Sequence, residues 1–116
     1  MGYAHYMNNK PAFTDEQWKT FTKDVRELLK NTNIPVVNNF GEAGTKPEFR
    51  SDSIGFNGVE DDSHETCFVP KDAVDFQFCK TAHKPYDSLV VEVYKLVRKY
   101  LPDTELSSDG GKEVFG

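Results

Sequence analysis

The stretch from Leu89 to Leu101 constrains this chain more than any other. Leu89, Val93, Leu96, Val97 and Tyr100 recur at helical spacing, and Val90, Tyr94 and Leu101 widen the stripe. An apolar face that broad does not stay in water, so the helix is expected to lie across a sheet. Pro85 and Asp87 open it, with Asp87 in the place of an N-cap, and Pro102 stops it. A second helix starts at Thr14-Asp15-Glu16-Gln17, which has the form of a capping box. Phe13, just ahead of the cap, is placed to pack on Trp18 as a hydrophobic staple. Trp18, Phe21, Val25, Leu28 and Leu29 follow as one helical face, with Asn31 and Asn33 as stops.

The remaining segments carry strand signals. Gly2 to Met7 alternates, with Tyr3, His5 and Met7 on one face and Ala4 and Tyr6 on the other. An edge strand with surface rings is expected there. Ile34 to Val37 is a short apolar run. Asn38 to Gly44 is a loop that lacks the Gly-Lys-Ser/Thr ending of a phosphate-binding glycine loop. Phe49 to Pro70 reads as a hairpin closed by the acidic turn Gly58 to Ser63, with Cys67 and Val69 on the face opposite Thr66 and Phe68. Asp75 to Lys80 is a further strand. Thr104 to Leu106 is the last one, and Ser107 to Gly111 is a turn. This order predicts an α+β domain spanning 1–116, a mainly antiparallel sheet with two amphipathic helices packed on one face.

Charge excludes some functions. The net charge is −5, which disfavours sequence-independent nucleic-acid binding and attachment to anionic membrane. No apolar run approaches the ~20 residues of a spanning helix. Cys67 and Cys79, without a secretory signal, point to the cytoplasm and to free thiols.

The densest chemistry lies in Phe78 to Asp87, where Cys79, Lys80, Thr81, His83, Lys84, Tyr86 and Asp87 crowd the start of a helix. Two cations, a hydroxyl, unpartnered helix amides and the helix dipole form an anion site in principle. A metal held by His64, Cys67, Cys79 and His83 is disfavoured, because His64 and Cys67 diverge on a strand. A nucleophilic Cys79 beside a histidine and Asp87 competes with a buried thiol. His64 and Glu65 are an acid–base pair only if they converge, and adjacent strand residues point apart.

Several segments together resemble a family of small phage, bacterial and fungal proteins. They are Gly2-Tyr3 with His5-Tyr6; Phe56-Asn57-Gly58; His64-Glu65-Thr66; Phe78-Cys79-Lys80-Thr81 with Lys84-Pro85-Tyr86-Asp87; and Ser108-Asp109-Gly110. The chain departs from the family after Asp-Gly, where Gly111 and Lys112 stand in place of an acidic residue. The resemblance carries no activity to these residues. It implies that polar groups from five segments belong to one site: Tyr3, His5, Tyr6, Asn57, His64, Glu65, Lys80, Thr81, Lys84, Tyr86, Asp87 and Asp109.

The expected function is non-catalytic binding of a small anionic ligand, a nucleotide or ADP-ribose derivative, with no cofactor. Lys80 and Lys84 would meet phosphate, Tyr3 or Tyr6 a base, and Asn57 a polar edge. A phage protein that sequesters a nucleotide immune signal belongs to this class. The alternatives are an inhibitor of a host protein acting through the acidic surface at Glu60-Asp61-Asp62, and a small nucleotide hydrolase using Cys79, His64 or Glu65.

Overall fold

A computed structural model describes residues 2–116. The first helix, α1 (Asp15–Asn31), begins as its sequence dictates. Gln17 N donates to Thr14 Oγ1 at 3.1 Å, and Thr14 N donates to Gln17 Oε1 at 2.9 Å. The Phe13 and Trp18 rings meet edge-on at 5.2 Å. Trp18, Phe21 and Val25 are buried from this helix. The second helix, α2 (Asp87–Tyr100), buries Leu89, Val90, Val93, Tyr94 and Val97. The helices are tied by Gln17 Nε2, which donates to Tyr100 O at 3.2 Å, and by the Tyr100 hydroxyl, which donates to Asp24.

The chain is α+β, as expected, with antiparallel strands throughout, but they form two three-stranded sheets. One sheet has β1 (Ala4–Lys10) between β5 (Val74–Lys80) and β6 (Glu105–Ser108). The other is the meander β2 (Glu48–Phe49), β3 (Ser53–Phe56) and β4 (Cys67–Pro70). A turn in which Arg50 N donates to Ser53 O at 2.8 Å interrupts the expected Phe49 to Asn57 strand. Ile34 to Val37 contributes one bridge, Val37 to Asn57. Pro35 has no amide to give a longer ladder. On β4, Cys67 and Val69 are buried and Phe68 is exposed, as the alternation requires.

The largest correction concerns β1. It is the central strand of its sheet, paired with β5 from Ala4↔Lys80 to Lys10↔Val74 and with β6 from His5↔Ser108 to Asn8↔Glu105. Both partners come from far along the chain, and an alternating pattern does not distinguish a centre from an edge. Ala4, His5 and Met7 are all buried.

Lys10, at the end of β1, is buried too. Its ammonium donates to Pro11 O at 2.8 Å and Asp72 O at 2.7 Å, and lies 4.8 Å from the Phe13 ring centre. Burial pulls it down from 10.5 to about 8. Between these two values the unfolded chain keeps a proton that the folded chain has lost, so this group makes stability rise with pH there. Below that window its cost is fully present. The urea midpoint of the wild type, relative to that of Lys10→Met, should therefore climb across pH 8 to 10.5. Parallel pH profiles would contradict the burial cost.

Candidate functional site

The Phe78 to Asp87 block turns the chain from β5 into α2. Ala82 and His83 take left-handed backbone angles, φ 52° and 58°, to make the reversal. Lys84 N donates to Thr81 O and Asp87 N to Lys84 O, both at 2.9 Å; Leu89 N donates to Tyr86 O at 3.0 Å. These amides, which an anion would need, are already partnered. The N-cap position falls on Tyr86, with φ −74° and ψ −4° and no side-chain cap. Asp87 is therefore not the N-cap that the sequence suggested. It is the first helical residue, because the turn supplies the acceptors a cap would give.

The Asp87 carboxylate is used elsewhere. Its Oδ1 accepts from His5 Nε2 at 2.7 Å and from the Thr81 hydroxyl. On the other side of the ring, His5 Nδ1 lies 2.8 Å from Ser108 Oγ. Gly110 N donates to Ser108 Oγ at 3.0 Å. An ionised Asp87 only accepts, so the network assigns the proton to Nε2 and leaves Nδ1 to accept from the Ser108 hydroxyl. Tyr3 and Phe115 close over the imidazole edge-on, at 5.2 Å and 5.6 Å, and the ring is fully buried. Tyr3 also stacks on His83 at 3.6 Å. Gly110 is required beneath it, since a Cβ there would sit 2.2 Å from the Tyr3 hydroxyl. Asp109 completes the cluster, accepting from Ala4 N at 3.0 Å and from the Tyr6 hydroxyl at 2.9 Å. The bond to Asp109 raises the Tyr6 phenol above its usual range.

A second network lies on the other side of β5. Asn57 Nδ2 donates to Asn39 O at 3.1 Å and His64 O at 3.0 Å, while Oδ1 accepts from Gly58 N at 2.8 Å and His64 N at 3.1 Å. That amide is saturated inside the protein. Glu65 Oε1 accepts from Lys80 N at 3.0 Å, and the buried Tyr86 hydroxyl donates to Glu65 O at 2.5 Å. Burial pushes the Tyr86 phenol well up. Cys67 and Cys79 are free and buried; the Cys79 thiol donates to Glu65 O at 3.6 Å, and the neighbouring Cys79 thiol, with burial, raises Cys67. Among the described residues no group of three or more His, Cys, Asp or Glu is placed to hold a metal ion.

The expected residues thus separate into three sets. Tyr3, His5, Tyr6, Thr81, Asp87 and Asp109 converge on β1. Asn57, His64, Glu65 and Tyr86 brace the loop after β3. Lys84 contributes its backbone to the turn, and Lys80 holds its ammonium 5.5 Å from the Phe78 ring centre.

That lysine marks a feature missed in the sequence. Phe76, Phe78 and Lys80 share one face of β5, and the register sets Tyr6 opposite Phe78 on the same face. The three rings lie 5.7 to 6.5 Å apart, and Phe76 and Phe78 are 55% and 39% exposed. The alternation of Phe76, Phe78 and Lys80 was the available signal, once β1 is known to lie beside β5. Ser108 was missed as well, because only the β1–β6 register brings it to His5. It borders a cleft of about 280 Å³ lined also by Ser107, Arg98, Lys112, Phe115 and Gly111.

Comparison of the chain with protein-family models, with curated proteins and with solved structures gives no match in any of the three.

Replacing Asp87 separates a network member from a cap. Asp87→Ala strands the His5 Nε2–H and the Thr81 hydroxyl, and each orphaned buried donor costs about 1–3 kcal/mol. The expected loss in urea unfolding is about 3 kcal/mol, against about 1 kcal/mol for a lost cap. Asp87→Asn keeps one acceptor and should lose less. A loss of about 1 kcal/mol for Asp87→Ala would return Asp87 to a capping role.

Proposed function

We propose that the chain binds a small anionic, nucleotide-like ligand on the open face of the β5–β1–β6 sheet. The observation that carries this reading is the cluster of exposed Phe76 and Phe78 with half-buried Tyr6, and the Lys80 ammonium beside it. Clustered rings on a bare sheet face cost solubility and are seldom kept without a partner. A base stacks on such a platform at little entropic cost, since the rings already hold one another in place. Lys80 supplies the charge for a phosphate, and Ser107, opposite Tyr6 in the ladder, supplies a hydroxyl on the same face.

The net charge of −5 favours a ligand with few phosphates over a polynucleotide. The resemblance to small phage, bacterial and fungal proteins agrees with this reading. In a phage setting the role is sequestration of a nucleotide immune signal without turnover.

Calorimetry with cyclic nucleotides and ADP-ribose derivatives tests it. At least one ligand should bind more tightly than about 1 mM, roughly −4 kcal/mol. Phe78→Ala should remove about 1–3 kcal/mol of that affinity by loss of stacking. Lys80→Ala should weaken binding and flatten its salt dependence. Absence of binding across the panel, or unchanged affinity in Phe78→Ala, would contradict the proposal.

A further inference from the structure

A different chemistry is available on the other face of the same sheet. Among the described residues of the His5 hydrogen-bond network, Ser108 is the one that lines the 280 Å³ cleft. Its hydrogen bonds are ordered: it accepts from Gly110 N at 3.0 Å and faces His5 Nδ1 at 2.8 Å, and the far side of that ring is held by Asp87 at 2.7 Å. A serine hydroxyl becomes a nucleophile when a base removes its proton and a third group orients the base. All three parts are in hydrogen-bonding reach. Unlike in the protease arrangement, Nδ1 rather than Nε2 meets the serine.

We infer that Ser108 accepts an acyl group from a small acyl phosphate, with His5 as its base and Asp87 positioning the imidazole. The donor class follows from burial. His5 is fully enclosed behind Ser108, so its ring reaches the serine proton but is sealed from a departing group in the cleft. The leaving group must then depart as an anion, without being protonated. Arg98 and Lys112 line the cleft and suit a leaving phosphate. Arg98 is held there by its bond to Phe115 O at 2.6 Å.

In the step, Ser108 Oγ attacks the acyl carbon and its proton passes to His5 Nδ1. The Oγ–C bond forms as the C–O bond to phosphate breaks, and phosphate leaves with the electron pair. The products are an ester on Ser108, an imidazolium facing Asp87, and free phosphate. The step ends at the ester on Ser108, at most one equivalent per chain.

The test is incubation of the whole chain with acetyl phosphate, followed by peptide mapping by mass spectrometry. Ser107, whose side chain lies on the opposite face of β6 and meets no base, serves as an internal reference. Ser108 should be acetylated about a hundredfold faster than Ser107, the size of a general-base contribution. Ser108→Ala should abolish that site's signal. Asp87→Asn, shown to be folded by circular dichroism, should slow it about tenfold or more. Acetylation confined to lysines, or equal at Ser107 and Ser108, would overturn the inference. An Asp87→Asn rate equal to wild type would overturn the role of His5 and Asp87. The nucleotide panel reads the opposite face of the sheet, so either proposal can fail while the other stands.

Discussion

A histidine with both ring nitrogens occupied sits near the start of the middle strand, and much of the molecule is arranged to keep it so. His5 reaches Asp87 at the start of α2 on one side and Ser108 at the end of β6 on the other. Thr81, between β5 and α2, bonds the same carboxylate. One imidazole thus ties together two strands, a helix and the turn before it, across sequence separations that reach 103 residues. A buried polar network of this kind is costly when any member is missing, because the remaining donors have no water to turn to. Its completeness specifies the register: a shift of one residue in β1 would point His5 at solvent and bring Tyr6 into the core.

The same alternation divides the sheet into two chemical faces. Inward, His5, Asp87, Thr81 and Ser108 spend their polar groups on one another, with Ser108 at a cleft. Outward, Phe76 and Phe78 are exposed beside half-buried Tyr6, with Lys80 near Phe78. The bond from the Tyr6 hydroxyl to Asp109, whose other oxygen accepts from Ala4 N, connects the platform to the turn after Ser108. The rings are therefore anchored from below, which favours a preformed stacking surface.

Local features were legible in the sequence, and long-range ones were not. The capping box at Thr14 and the stripes of α1 and α2 follow from spacings within one turn of helix, and they appear as expected. So does the in–out alternation of Cys67, Phe68 and Val69. The centrality of β1 depends on β5 and β6, which lie about seventy and a hundred residues away. Asp87 looked like a cap because an Asp after Lys-Pro-Tyr at a helix start usually is one. Its actual partners come from β1 and the end of β5. The dense block Phe78 to Asp87 reads in the sequence as an anion site at a helix start. Its polar atoms mostly meet each other, however, and the free chemistry lies one strand face away. Grouping Asn57, Glu65 and Tyr86 with His5 conflated two networks separated by β5, a distinction that needs coordinates.

The protonation of His5 is the most direct point of contact between these statements and experiment. Ring nitrogen NMR on uniformly labelled protein at neutral pH resolves the two sites. The hydrogen-bond network requires a slowly exchanging proton on Nε2, shared with Asp87, and a bare Nδ1 facing Ser108. A proton on Nδ1, or rapid exchange of the Nε2 proton with water, would show that the imidazole is not held as described and would undo the base assigned to Ser108.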